Sequence, residues 1–318
     1  MPAPLLDIRE LRTYFHTSAG LIKAVDGVSL HVDEGEAVGL VGESGCGKTM
    51  TAHSVMKLVP SPPGVIENGT IHFQGTDLLR LSERDMRAIR GKKLSIVFQD
   101  PMTFLNPVMK IGRQIGEVLN NQSDSKTIIQ LLASMGIPEA ARIAEQYPHE
   151  LSGGMRQRVL IAIAIANNPA LMIADEPTTA LDVTIQAQIL DLIKTVKRDN
   201  GTALLLITHD LGIVADMCDR VYVMYAGKVV ESGDVFSMFE EPLHPYTQGL
   251  LRSALSIAEF RESLETIAGT VPNLLDPPKG CRFHPRCPQV MPVCQQAEPP
   301  VTEVRLGCQV SCWLYETP

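Results

Sequence analysis

The octapeptide Gly42-Glu43-Ser44-Gly45-Cys46-Gly47-Lys48-Thr49 constrains this chain most, because it follows the apolar run Ala37-Val38-Gly39-Leu40-Val41 and opens a segment of helical pattern. Spacing of the form Gly-x4-Gly-Lys-Thr between a strand and a helix is the setting of a phosphate loop. The glycines let backbone N–H groups close around phosphate oxygens, and the helix N-terminus adds positive potential. Lys48 would reach the β and γ phosphates and Thr49 would ligate Mg²⁺. A chance glycine-rich turn shares the composition but not the context.

Two further apolar runs, Leu171-Met172-Ile173-Ala174 and Ala203-Leu204-Leu205-Leu206-Ile207, have the length of buried strands and are set apart by helical periodicity. Alternating strands and helices imply an α/β fold with a parallel sheet and ligand chemistry at the strand C-terminal ends. The first run ends in Asp175-Glu176. There Asp175 is positioned to hold Mg²⁺ and Glu176 to orient or deprotonate an attacking water.

Between about residues 105 and 165 the pattern turns helical: Ile111, Ile115, Val118 and Leu119 share a face, as do Ile128, Ile129, Leu132 and Met135. This reads as a helical insertion in the α/β body. After Gly233 prolines accumulate, and a loop-rich appendix is expected around a short helix near residues 246–258.

With 28 Lys and Arg against 36 Asp and Glu, the net charge of −8 offers no basic footprint for non-specific nucleic-acid binding. The N-terminus carries no basic leader followed by an apolar core, so no signal peptide is expected. The most apolar stretch, Val159 to Ala174, is broken at Asn167-Asn168-Pro169 and falls short of the ~20 residues a spanning helix needs. Of seven cysteines, Cys281, Cys287, Cys294, Cys308 and Cys312 crowd the last forty residues. In a reducing compartment metal ligation is favoured over disulfides.

The segment Leu151-Ser152-Gly153-Gly154-Met155-Arg156-Gln157-Arg158 resembles the signature motif of ABC ATPases, with Met155 where Gln is usual. Gln99 in Val97-Phe98-Gln99-Asp100-Pro101, the Ala180-Leu181-Asp182 segment and His209 in Ile207-Thr208-His209-Asp210 follow the family's order. The resemblance implies a P-loop ABC-type ATPase with a helical signature subdomain. It also assigns roles: Gln99 senses Mg²⁺ and the attacking water, and His209 contacts the γ-phosphate and supports Glu176. Asp182 lies at a dimer contact, and Ser152, Gly153 and Gly154 serve ATP held by the other subunit. An aromatic near the N-terminus should stack on adenine; Phe15 is preferred, with Tyr14 adjacent.

Phe98 to Pro107, Thr178 to Thr184, Met224-Tyr225-Ala226-Gly227 and His244-Pro245-Tyr246-Thr247-Gln248-Gly249-Leu250-Leu251 resemble the ATPase subunits of peptide/nickel importers, over nearly the whole chain. That implies a cassette over residues 1–235 and a peptide-permease-type region over 236–318. It further implies a peripheral subunit at the cytoplasmic face of the membrane. The expected partners are a second, homologous ATPase, two transmembrane permease subunits and, through the complex, an extracytoplasmic substrate-binding protein. The cargo is a di- or oligopeptide, with nickel or another small solute as the alternative; a soluble ABC ATPase would usually carry two cassettes or a long coiled-coil insertion.

Cys281, Cys287, Cys294 and Cys312 are separated by five, six and seventeen residues. Structural zinc sites use tighter Cys-x2–4-Cys knuckles, whereas thiolates in proline-rich loops suit a [4Fe–4S] cluster. The end of the chain also resembles permease ATPases, some of which hold such a cluster, and that pattern favours Cys312 over Cys308 as fourth ligand. Zinc or free thiols are the alternatives.

Overall fold

A computed structural model describes residues 3–119, 124–179, 181–258 and 267–316. The described strands are β1 (Leu6–Thr17), β2 (Gly20–Val32), β3 (Ala37–Val41), β4 (Gly64–Phe73), β5 (Thr76–Asp77), β6 (Leu94–Val97), β7 (Leu171–Asp175), β8 (Ala203–Thr208), β9 (Arg220–Tyr225), β10 (Lys228–Asp234), β11 (Thr302–Arg305) and β12 (Cys308–Val310). They fall into two compact units, one of residues 1–32, 37–79 and 206–318, the other of 33–36 and 80–205.

In the first unit β1 pairs antiparallel with β2 and with β4. Leu6 and Ile8 of β1 and Val28, Leu30 and Val32 of β2 are buried, the period-two pattern of strands with one covered face. A register shift between Ile8 and Leu11 resets the alternation, so that Leu11 and Thr13 are buried next. β3 behaves differently: all five residues are buried, as befits a strand covered on both faces. It pairs parallel with β9, from Val38 opposite Arg220 to Val41 opposite Val223, and β9 turns back antiparallel into β10. Straight after the phosphate loop comes the helix Lys48–Val55.

The tail of the chain is more ordered than its proline content suggested. The helix Pro245–Ala258 forms as read, but β11 and β12 also make a hairpin that adds to β10 through Glu231 opposite Val310 and Ser232 opposite Gln309. Strands this short have little pattern of their own and exist because an edge is there to pair with. Glu231 is buried there, and its carboxylate accepts from the N–H groups of Leu243 and His244 at 2.7 and 2.8 Å. Burial raises its pKa against those bonds. His244 Nδ1 in turn accepts from Tyr246 N at 3.0 Å, satisfying an otherwise orphaned donor at the helix start.

In the second unit β6 and β7 pair in parallel, Leu94 opposite Leu171 through Val97 opposite Ala174. Between them lie the helices Ile111–Val118, Ser125–Ser134, Ala140–Ala144 and Gly153–Ile165. Ile111, Ile115, Leu132, Met135 and Ile143 are buried. Asp124, Ser152 and Asp182 each cap a helix by accepting a backbone N–H three residues on, supplying a partner the first turn lacks. Among the described residues no helix is long and apolar enough to cross a membrane.

Candidate active site

The phosphate loop is held shut by close approaches that only glycine permits. A Cβ on Gly42 would stand 2.1 Å from Met224 O, and one on Gly47 2.2 Å from Ala24 O; both residues also have positive φ. The loop is tied to the β9–β10 turn by Gly227 N donating to Cys46 O at 2.8 Å. Lys48 is buried, its ammonium donating to Gly42 O at 2.8 Å and Glu43 O at 3.1 Å. Ser44 and Gly45 remain exposed at the rim, while Thr49 is half-buried at the start of the helix. Burial raises the Cys46 thiol above its ordinary range, so this cysteine is a packed neutral group.

Tyr14 and Phe15 have distinct roles. Tyr14 Oη donates to Asp26 Oδ1 at 2.5 Å, and burial together with that carboxylate lifts the phenol to about 12. Phe15 lies on the opposite face of β1 and shares its face with Thr13, whose hydroxyl is 2.8 Å from Ser54 on the helix that follows the phosphate loop. Phe15 is half-buried and packs against Gly64, where an added Cβ would meet its ring at 2.9 Å.

The candidate hydrolytic residues of the second unit also come together. Asp175 is buried at the end of β7, and Glu176 follows it with a carboxylate oxygen accepting from Gln99 Nε2 at 3.0 Å and Thr179 Oγ1 at 2.8 Å. The segment after Gln99 is folded on itself: Asp100 accepts from Met102 N and Thr103 Oγ1, and Phe98 stacks on Phe104 with centroids 3.6 Å apart. Within this unit Gln99 and Asp175 offer hard oxygen donors of the kind that suits Mg²⁺. In the first unit His209 is exposed directly after β8, ahead of Asp210, which caps the helix Leu211–Met217.

Ser152 caps the helix Gly153–Ile165, accepting from Met155 N at 3.4 Å, and Ser152 and Gly153 are exposed. Gly154 lies against Ile185, where a Cβ would come within 2.8 Å. Asp182 is exposed and caps the helix Val183–Asn200 through Ile185 N at 2.9 Å; Ala180 lies outside the described residues. The arrangement can present N–H groups and a hydroxyl to an anion approaching from solvent.

Several residues that shape the loop were not singled out in the sequence. Tyr246 is fully buried and its hydroxyl accepts from Glu43 N at 2.9 Å. Arg286 pairs with the Glu43 carboxylate at 2.7 and 3.1 Å. Arg282 is buried against Asp26 and Ala226 O. No spacing rule links positions more than 200 residues apart.

All seven cysteines are unbridged. Among the described residues no group of three or more His, Cys, Asp or Glu side chains is arranged to hold a metal ion. Burial, with smaller repulsion from the other thiols of the set, raises Cys281 and Cys312 to about 11. Backbone N–H groups face each sulfur: Gln289 at 3.4 Å from Cys287, Met291 at 3.5 Å from Cys294, Phe283 toward Cys281 and Leu314 toward Cys312. Cys308 instead donates to Asp234 at 3.8 Å.

The ABC transporter family model matches residues 25–179, and that of the oligopeptide/dipeptide transporter C-terminal region matches 230–294. The chain is 49% identical over 317 residues to the oligopeptide transport ATP-binding protein OppD of Bacillus subtilis, covering 98% of this chain and 88% of that protein. It is 46% identical to the dipeptide transport ATP-binding protein DppD of the same organism, covering 98% and 95%. In structure it is similar to the ATP-binding cassette MJ0796, solved as a dimer in a post-hydrolysis state with ADP and Pi, at a TM-score of 0.65 and 26% identity over 72% of this chain and 98% of that one. With a glycine-closed phosphate loop, an acid-tipped strand and a serine-capped signature helix in place, the chain belongs to the ATP-binding proteins of oligopeptide and dipeptide ABC transporters.

Proposed function

We propose that this chain is the ATP-hydrolysing subunit that powers import of di- and oligopeptides, working at the cytoplasmic face of the membrane with a second homologous ATPase and two permease subunits. An extracytoplasmic binding protein would deliver the cargo. The observation that carries the hydrolytic reading is Glu176, at the tip of β7 with its carboxylate gripped by Gln99 and Thr179. In this mechanism Lys48 exchanges the loop carbonyls for the β and γ phosphate oxygens of ATP, and Phe15 stacks on adenine. Thr49, Gln99 and Asp175 would hold Mg²⁺, which would supply neutralisation of developing phosphate charge. Glu176 orients the water and takes its proton, and His209 steadies the γ-phosphate. Ser152, Gly153 and Gly154 serve the nucleotide on the partner cassette, with Asp182 at the contact.

Residues 1–235 form the cassette in this reading, with the helical subdomain near 105–165, and 236–318 the permease-type region. In that region Cys281, Cys287, Cys294 and Cys312 would hold a [4Fe–4S] cluster. Backbone N–H groups aimed at all four sulfurs support that donor set. Cys308 is engaged elsewhere, on Asp234.

The test is uptake by the transporter reconstituted with its co-purifying membrane subunits, offered labelled dipeptide, longer peptide and nickel. ATP-dependent peptide uptake, abolished by Glu176→Gln, is expected; nickel uptake alone would overturn the peptide assignment. Anaerobically purified protein should be brown with about four iron per chain, and stoichiometric zinc in colourless protein would reject the cluster.

A further inference from the structure

The strongest ion pair of the phosphate loop is made with the other end of the chain. Glu43 is the first variable residue of the loop, and both of its carboxylate oxygens are taken by Arg286. Arg286 is a fixed post: its side chain is 5% exposed. Its Nε donates to Ala268 O at 2.9 Å and its Nη2 to Ile267 O at 3.2 Å. The guanidinium lies 5.8 Å from the ring centroid of Tyr225. The backbone of Glu43 is held as well, by the hydroxyl of Tyr246. Tyr246 is locked among Tyr225 and Phe283 with centroids 4.6 and 5.4 Å away.

We infer that Arg286 is a positioning residue for nucleotide binding, through which the C-terminal region sets the affinity of the phosphate loop. Two physical effects act in the same direction. A bidentate arginine fixes the carboxylate, and with it the carbonyl of Glu43 on which Lys48 rests. It also neutralises a negative charge inside a loop that must receive a polyanion; unpaired, Glu43 would repel the phosphates. Loss of the arginine therefore leaves the loop both less ordered and more negative.

The inference rests on the nucleotide-binding reading of the loop, and titration of full-length protein with MgATP separates the two. Wild-type protein that failed to bind MgATP would sink that reading itself. With wild-type binding established, Arg286→Ala should raise Kd roughly tenfold and Arg286→Lys should recover part of the loss. Adding Glu43→Gln to Arg286→Ala should tighten binding again, because the unpaired charge is gone. A merely structural arginine would give no such rescue. Equal Kd for wild type and Arg286→Ala, or a double variant no tighter than Arg286→Ala, would overturn the inference. Should Arg286→Ala fail to fold, the uncharged Arg286→Gln with and without Glu43→Gln carries the same test: Kd raised in the single and lowered again in the double supports it, and an unchanged single or a double no tighter than the single refutes it.

Discussion

The phosphate loop and the signature turn both offer backbone N–H groups at a helix start, yet they are built in opposite ways. The loop, exposed only at Ser44 and Gly45, is held from a distance: Met224 and Ala24 close on its glycines, Gly227 on Cys46, and Tyr246 and Arg286 on Glu43. The signature turn is exposed, and its hydroxyl bond stays within four residues, from Met155 N to Ser152 Oγ. A site that must exist before its ligand arrives is pre-organised by non-local contacts. A surface proposed to complete a partner's site needs little beyond its own helix and access to solvent.

Catalysis separates the two elements most strongly. In the assembled transporter Glu176→Gln should lower kcat roughly 100- to 10,000-fold while MgATP affinity stays near wild type, measured by turnover beside equilibrium binding. Near-wild-type turnover would remove Glu176 as base. Ser152→Arg should cost the assembled complex on the order of 100-fold in turnover, with MgATP binding to the isolated chain untouched. Loss of binding by the isolated chain would make the signature part of its own site and erase the contrast.

Smaller effects probe the loop itself. Gly42→Ala pushes a methyl into Met224 O and should destabilise the fold by about 2–3 kcal/mol in chemical denaturation; an unperturbed midpoint would show that the loop is not so tightly closed. Phe15→Ala should raise the MgATP Kd about tenfold by losing a stacking surface. Tyr14→Phe should leave that Kd alone and cost about 1 kcal/mol of stability through the lost bond to Asp26. The reverse result would exchange the two aromatics.

How much was legible in the sequence follows from the range of each contact. Gly42 to Thr49, Asp175 and Glu176 announce themselves because strand, loop and helix are contiguous. The capping roles of Ser152 and Asp182 are local too. Arg286 on Glu43 and Tyr246 under the loop are tertiary facts, invisible to spacing because the chain spends more than 200 residues between the partners. The β11–β12 hairpin was hidden for another reason: Val304 and Leu306 are exposed, so no alternation marked it, and the edge of β10 supplies the partner.

One feature of Glu176 reaches beyond its chemistry. Its φ is +47°, a left-handed backbone that costs a residue with a Cβ roughly 1–2 kcal/mol. Glycine at this position would relieve that cost and erase the proposed general base in one step. Glu176→Gly is therefore expected to yield a sturdier cassette that holds ATP without splitting it. Keeping an acid there is a standing demand that function makes against the backbone's own preference.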